Sequence, residues 1–103
     1  PGRRILIVGA LQGRDVHDTL SALRADEFDL VICCTAPSPR ARNSQEIAEA
    51  AQKLGCTEVM ALRSVEEACD RAVQDASSDD AILIAGSLYV VGAARPYLRR
   101  ILP

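Results

Sequence analysis

Apolar and polar positions along this chain follow two alternating rhythms. The runs Arg4-Ile5-Leu6-Ile7-Val8-Gly9, Asp29-Leu30-Val31-Ile32-Cys33-Cys34, Glu58-Val59-Met60-Ala61-Leu62 and Ala81 to Ala85 are short and continuously apolar. Such runs predict strands covered on both faces, as in a parallel sheet. Between them, apolar residues fall at helical spacing: Val16, Leu20 and Leu23; then Ile47, Ala48, Ala51 and Leu54; then Val65, Ala68, Cys69, Ala72 and Val73. A last helix is predicted from Leu88 to Arg100, with Pro96 bending or resetting it, because proline removes a hydrogen bond and crowds the preceding turn. The helix starts carry their own punctuation. Asp15 can cap the first helix, and Asn43 with Glu46 and Ser64 with Glu67 read as capping boxes. Gly55 suits the position just past a helix end. Strand and helix alternate four times with short connections, which calls for right-handed crossovers. The expected fold is a three-layer α/β, Rossmann-like domain with a mainly parallel sheet flanked by helices. Residues 1–103 form a single domain, and strand order is not encoded in the pattern.

Composition narrows the function classes. Hydrophobic residues make up 49% of the chain but only three are aromatic, so the core must be built from Leu, Ile, Val and Ala. A net charge of −2 provides no long-range attraction to nucleic acid or an acidic membrane, and neither is expected as a partner. No run approaches the roughly 20 apolar residues of a membrane span, and no signal-peptide pattern leads the chain; a cytoplasmic protein is expected. Eleven of the twelve basic residues are Arg, a bias that suits carboxylate or phosphate binding and equally suits a GC-rich genome. The four cysteines contain no Cys-x-x-Cys pair, and His17 stands alone. Adjacent Cys33 and Cys34 would face opposite sides of a strand, so no metal set is expected. They read instead as small buried hydrophobes in a reducing compartment. Asp26, Glu27, Asp79 and Asp80 read as turn residues.

The candidate chemistry lies where strands end. At Asp80–Gly92 an apolar strand breaks at Gly86 and Ser87 opens a helix. One hydroxyl and a fan of N–H groups are thereby presented at the carboxyl end of a strand, where open α/β sheets bind ligands and helix starts favour anions. Ser87 is a helix cap, a ligand contact, or both; Tyr89 either packs or lines the cleft. Ser87 is not read as a nucleophile, since the surroundings are not G-x-S-x-G and His17 follows a different strand. After the first strand comes Gly9-Ala10-Leu11-Gln12-Gly13-Arg14-Asp15. It matches neither the Walker A spacing nor G-x-G-x-x-G, so no nucleotide phosphate chain is expected on it. What remains is a glycine-flexed loop that sets Arg14 beside a helix start, as a ligand contact or as a solvated side chain. In the loop Ala36-Pro37-Ser38-Pro39-Arg40-Ala41, two prolines preset the backbone, and Arg40 either faces a cleft or pairs with an exposed acid. A response-regulator receiver is excluded, because the single lysine, Lys53, falls on a mid-chain helix.

Three of these segments resemble the folylpolyglutamate synthase/dihydrofolate synthase branch of the Mur ligases. Gly86-Ser87-Leu88-Tyr89-Val90-Val91-Gly92 is similar to the end of that family's carboxyl-terminal domain. Gly13-Arg14-Asp15 matches its Asp/Gly-Lys/Arg-Asp triplet, and Ser38-Pro39-Arg40-Ala41 matches its Ser-Pro-Arg-Ala loop. The family's ATP loop and Asp-Gly-Ala-His-Asn linker are not in this sequence, so the resemblance implies the carboxyl-terminal, amino-acid-binding lid domain of a longer enzyme. The implied reaction is ATP-dependent joining of L-glutamate to dihydropteroate or a folyl-glutamate through an acyl phosphate. ATP and Mg²⁺ would be bound mainly by the rest of the ligase, and the isolated domain would be inactive. By the same resemblance Arg14, Asp15, Ser87 and Tyr89 are substrate-binding residues, Ser38 and Arg40 face the other domains, and no residue here is catalytic or metal-binding. A cell-wall Mur ligase domain and a free-standing small-ligand-binding or interaction module are the alternative readings.

Overall fold

The computed structural model describes residues 2–102. Its strands are β1 (Arg4–Val8), β2 (Leu30–Cys34), β3 (Val59–Leu62) and β4 (Ala81–Ala85), and its helices are α1 (Val16–Ala22), α2 (Ser44–Leu54), α3 (Val65–Asp75) and α4 (Leu88–Ile101). A short 3₁₀ turn, Ala25–Glu27, leads into β2. All strand pairs are parallel, in the order β3-β2-β1-β4. The chain therefore steps outward from β1 to β2 and β3, then returns to lay β4 on the other side of β1.

Alternation along the central strands divides the core in two. Leu6, Val8, Val31 and Cys33 pack with α1 and α2 through Val16, Leu20, Ile47 and Ala51. Ile5, Ile7, Leu30, Ile32 and Cys34 pack with α3 and α4 through Val65, Ala68, Ala72, Val90 and Ala94. Every residue from Ile5 to Val8 and from Leu30 to Cys34 is inaccessible to solvent, which is why those runs read as continuously apolar rather than alternating. The edge strand β4 does alternate: Ile82 and Ile84 are partly covered, whereas Leu83, in register with Leu6, is 46% exposed.

The helix punctuation is only partly as expected. The Asn43 side chain accepts the Gln45 N–H at 2.8 Å, but the Glu46 carboxylate pairs with Arg42 instead of reaching back to the cap. Ser64 Oγ accepts the Glu67 N–H, while the Glu67 carboxylate accepts the N–H of Arg63, one residue before the cap. Both boxes close on one side only, because an arginine adjacent to the cap competes for the glutamate. Those bonds to Arg63 hold the Glu67 carboxyl below its usual range. Gly55 takes the left-handed conformation past α2, at φ 105°. At Pro96 the predicted reset does not occur: α4 runs through it as one helix. The carbonyl that the proline leaves without its usual partner is that of Gly92, on a solvent-exposed face where water can replace the lost bond.

Candidate functional site

The strand order reverses between β1 and β4, where open α/β sheets place their ligand crevice. Both strands end there in glycine, and the two glycines touch. Gly86 has φ 110°, and a Cβ built on it would stand 1.9 Å from the Gly9 carbonyl oxygen. A Cβ on Gly9 would stand 2.5 Å from Val90 Cγ2. This close approach, with the Gly9 N–H donating to the Ala85 carbonyl at 3.4 Å, brings the loop after β1 against the start of α4.

An open groove of about 450 Å³ results, lined by Leu11, Arg14, Gly86, Ser87, Leu88, Tyr89 and Val91. Three of the residues read as substrate-binding, Arg14, Ser87 and Tyr89, thus share one wall-to-wall site. The Ser87 hydroxyl caps α4 by accepting the Val90 N–H at 3.2 Å. That uses one lone pair and leaves its O–H free to donate. At this helix start the N–H groups of Leu88 and Tyr89 precede the first intrahelical bonds and remain available to an anion. Arg14 forms no ion pair among the described residues. Tyr89 is 52% exposed and Leu88 89% exposed, so both stand at the rim instead of packing in the core.

Asp15 is placed differently. Its carboxylate accepts the N–H groups of His17 at 2.8 Å and Asp18 at 3.2 Å, capping α1, and it does not line the groove. Ser38 and Arg40 sit on the neighbouring loop after β2, at the same end of the sheet. Ser38 Oγ accepts the Arg40 N–H at 3.2 Å, and the Arg40 guanidinium leans on the Gln12 carbonyl at 3.4 Å. What sequence reasoning missed is the stitching between these two loops. The Gln12 N–H donates to the Arg40 carbonyl at 2.7 Å, the Arg42 N–H donates to the Ala10 carbonyl at 2.8 Å, and Leu11 and Ala41 form an antiparallel bridge. The only hint in the sequence is that the loop after β2 is stiffened by two prolines.

The residues lining the groove include no cysteine, histidine or carboxylate. Cys34 lies beneath Gly9 with its thiol donating toward the Val8 carbonyl at 3.7 Å. Burial, reinforced by neighbouring Cys69 and Glu66, pushes its pKa up to about 12. Cys33 is likewise raised to about 12 and Cys69 to about 11 by burial, and all four cysteines are free. Among the described residues no three His, Cys, Asp or Glu side chains gather as a cation site, and no helix is long and apolar enough to cross a membrane. A second open groove, about 440 Å³ at the end of β3, is bordered by Arg63, Glu67, Asp70 and Arg71. There Arg63 already pairs with Glu67 and Arg71 with Asp75, so its cations are spoken for.

The sequence and the fold both have known counterparts. Residues 1–88 match the family model described as "Mur ligase, glutamate ligase domain". A probable bifunctional folylpolyglutamate synthase/dihydropteroate synthase of Halobacterium salinarum is 32% identical over 93 residues, 90% of this chain and 11% of that protein. Among solved structures, Escherichia coli FolC in complex with DHPP and ADP superposes with a TM-score of 0.83 at 25% identity, over 97% of this chain and 23% of that one. A bifunctional folylpolyglutamate synthase/dihydrofolate synthase with Mn, AMPPNP and L-glutamate bound gives a TM-score of 0.80 at 26% identity, over 95% of this chain and 23% of that one. This chain therefore spans less than a quarter of the length of each of these relatives.

Proposed function

The chain belongs to the Mur ligase family as a glutamate ligase domain, and from that premise we propose that it is the carboxyl-terminal, amino-acid-binding lid of a longer ATP-dependent ligase. That ligase joins L-glutamate to dihydropteroate or to a folyl-glutamate. The observation that carries this reading is the convergence of Arg14, Ser87 and the first turn of α4 on one groove at the strand-order reversal. A glutamate carboxylate needs donors on more than one side. The planar Arg14 guanidinium can grip it bidentately, the Ser87 O–H and the first-turn N–H groups supply the rest, and the α4 dipole favours the negative charge. One solved relative in this fold has L-glutamate bound together with Mn and AMPPNP, which fits such a role.

The residues here do not fit the nucleotide or its divalent cation. The glycine loop lacks phosphate-loop spacing and no carboxylate cluster exists among the described residues, so both are assigned to the rest of the ligase and no step is routed through them. What this chain does is orient and exclude. By fixing a glutamate carboxylate it presents the amino group to an activated acyl donor as an effectively intramolecular nucleophile, the C–N bond forming as phosphate leaves. Leu88, Tyr89, Leu11 and Val91 give the groove an apolar rim. On closure that rim removes water that would otherwise hydrolyse the activated acyl donor. Ser38 and Arg40, at the same end of the sheet, face the partner domains across that closure. Four free thiols suit a cytoplasmic setting.

The test is glutamate-dependent ATP turnover by the full-length ligase. Ser87→Ala and Arg14→Ala should each raise the glutamate KM by about tenfold or more, the loss expected of a hydrogen bond to a charged group, with the KM for ATP little changed. An unchanged glutamate dependence in both variants would sink the assignment.

A further inference from the structure

Arg42 lies outside the groove, yet its side chain adds a tie of its own to the main-chain bonds that join the two loops at the groove's end. Its Nη2 donates to the Arg14 carbonyl at 2.6 Å and its Nη1 to Glu46 Oε2 at 2.9 Å, with the side chain only 21% exposed. Its buried Nε has no partner. Burying the Arg42 Nε without a partner is costly, and a surface ion pair with half-exposed Glu46 offsets little of that. What the arrangement achieves is local. The Arg14 carbonyl belongs to the peptide that enters Asp15, the α1 cap. Arg42 holds that peptide from one side while Asp15 anchors it through His17 and Asp18 from the other. Just before it stands Gly13 at φ 94°, a joint with little stiffness of its own.

We propose that Arg42 is a positioning residue for the glutamate site: it fixes the main chain of Arg14, so that the Arg14 guanidinium enters the groove already aimed and keeps its own donors free. The inference rests on the reading of Arg14 as the glutamate-carboxylate ligand. Arg42 is suited to the task because a rigid fork spans a carboxylate and a carbonyl at once. An ammonium on a flexible stem makes one of these contacts well and the other poorly.

The experiment uses the full-length ligase with Arg42→Met, Arg42→Lys, Arg14→Ala and the double variant Arg42→Met/Arg14→Ala. Arg42→Met is expected to raise the glutamate KM by about tenfold, the loss expected of one charge-assisted hydrogen bond, with the ATP KM within about twofold and Arg42→Lys recovering part. In the Arg14→Ala background the same change should add almost nothing, because its effect passes through Arg14. An equally large increment in both backgrounds overturns the proposal. Amide exchange gives the second readout: Arg42→Met should speed exchange over Gln12–Asp15 while leaving β1 protected. Should Arg14→Ala leave the glutamate KM unchanged, the reading of Arg14 as the carboxylate ligand fails. The exchange data still decide the clamp, and unchanged exchange over Gln12–Asp15 overturns the positioning role whatever Arg14 binds.

Discussion

Gly86 and Gly92 lie six positions apart in one stretch of chain, and the structure assigns them opposite fates on substitution by alanine. Gly86 sits at φ 110° with the Gly9 carbonyl oxygen 1.9 Å from any added Cβ, whereas Gly92 lies within α4 with nothing within 4 Å. For Gly86→Ala, a side chain in that backbone region costs roughly 1–3 kcal/mol. The Cβ must also push two main-chain segments apart by about an ångström. That strains the Gly9–Ala85 hydrogen bond, worth about 0.5–1.5 kcal/mol. The reduced freedom of the unfolded chain returns only about 0.4–1 kcal/mol, so these terms leave a net loss of about 0.5–4 kcal/mol with a midpoint of about 2 kcal/mol. For Gly92→Ala no such terms oppose helix propensity, and a gain of about 0.5–1 kcal/mol is expected. Urea unfolding of the two variants beside the parent checks both signs, and a domain of this size should lose about 10–20 °C in Tm for Gly86→Ala. A Gly86→Ala protein within about 0.5 kcal/mol of the parent would refute the close-approach argument; that is the noise floor of ordinary surface substitutions.

The remaining predictions concern the thiols and the acid limb of stability. At pH 8 iodoacetamide should label only Cys56 in the native protein, and slowly, because burial also raises its pKa. Cys33, Cys34 and Cys69, at about 12, 12 and 11, should react only after unfolding in urea, and peptide mass spectrometry showing native labelling of Cys34 would contradict this. Asp80 accepts the N–H groups of Ser77 and Arg3 at 2.9 and 2.7 Å. Those two bonds, then the Arg3 charge, hold its carboxyl below the usual range. A depressed folded pKa contributes stability that is present above the unfolded value, near about 4, and is lost as pH falls through the folded one. Asp80→Asn should therefore cost more stability at pH 6 than at pH 3, read from urea midpoints at the two values; an equal cost at both would place the effect elsewhere.

Much of this fold is written locally. The continuous runs of β1 and β2 marked strands buried on both faces, and Asp15, Ser64, Ser87 and Gly55 all end or begin helices as their chemistry requires. Ser87 could be picked out because a strand, a glycine and a capping residue follow one another in the sequence. The misses are equally local in origin. The pattern around Glu46 and Glu67 predicts reciprocal caps, but each glutamate meets an arginine next to the cap, a choice settled by side-chain reach. Of the bend or reset expected at Pro96, the reset does not occur: α4 continues through it, with Val90 and Ala94 held in the core and the one missing hydrogen bond on the exposed side. Arg42 was not singled out because its task exists only where the loops after β1 and β2 meet.

Local sequence dictates which segments become strands and helices, which faces of the helices turn inward, and where the chain must turn. These follow from periodicity and from the backbone preferences of individual residues. The tertiary structure alone decided that β4 returns beside β1. That choice rests on main-chain hydrogen bonds that any strand can make and on crossover packing that no local window contains. From it come the contact of Gly9 with Gly86, the meeting of Arg14 with Ser87 from opposite ends of the chain, and the groove between them.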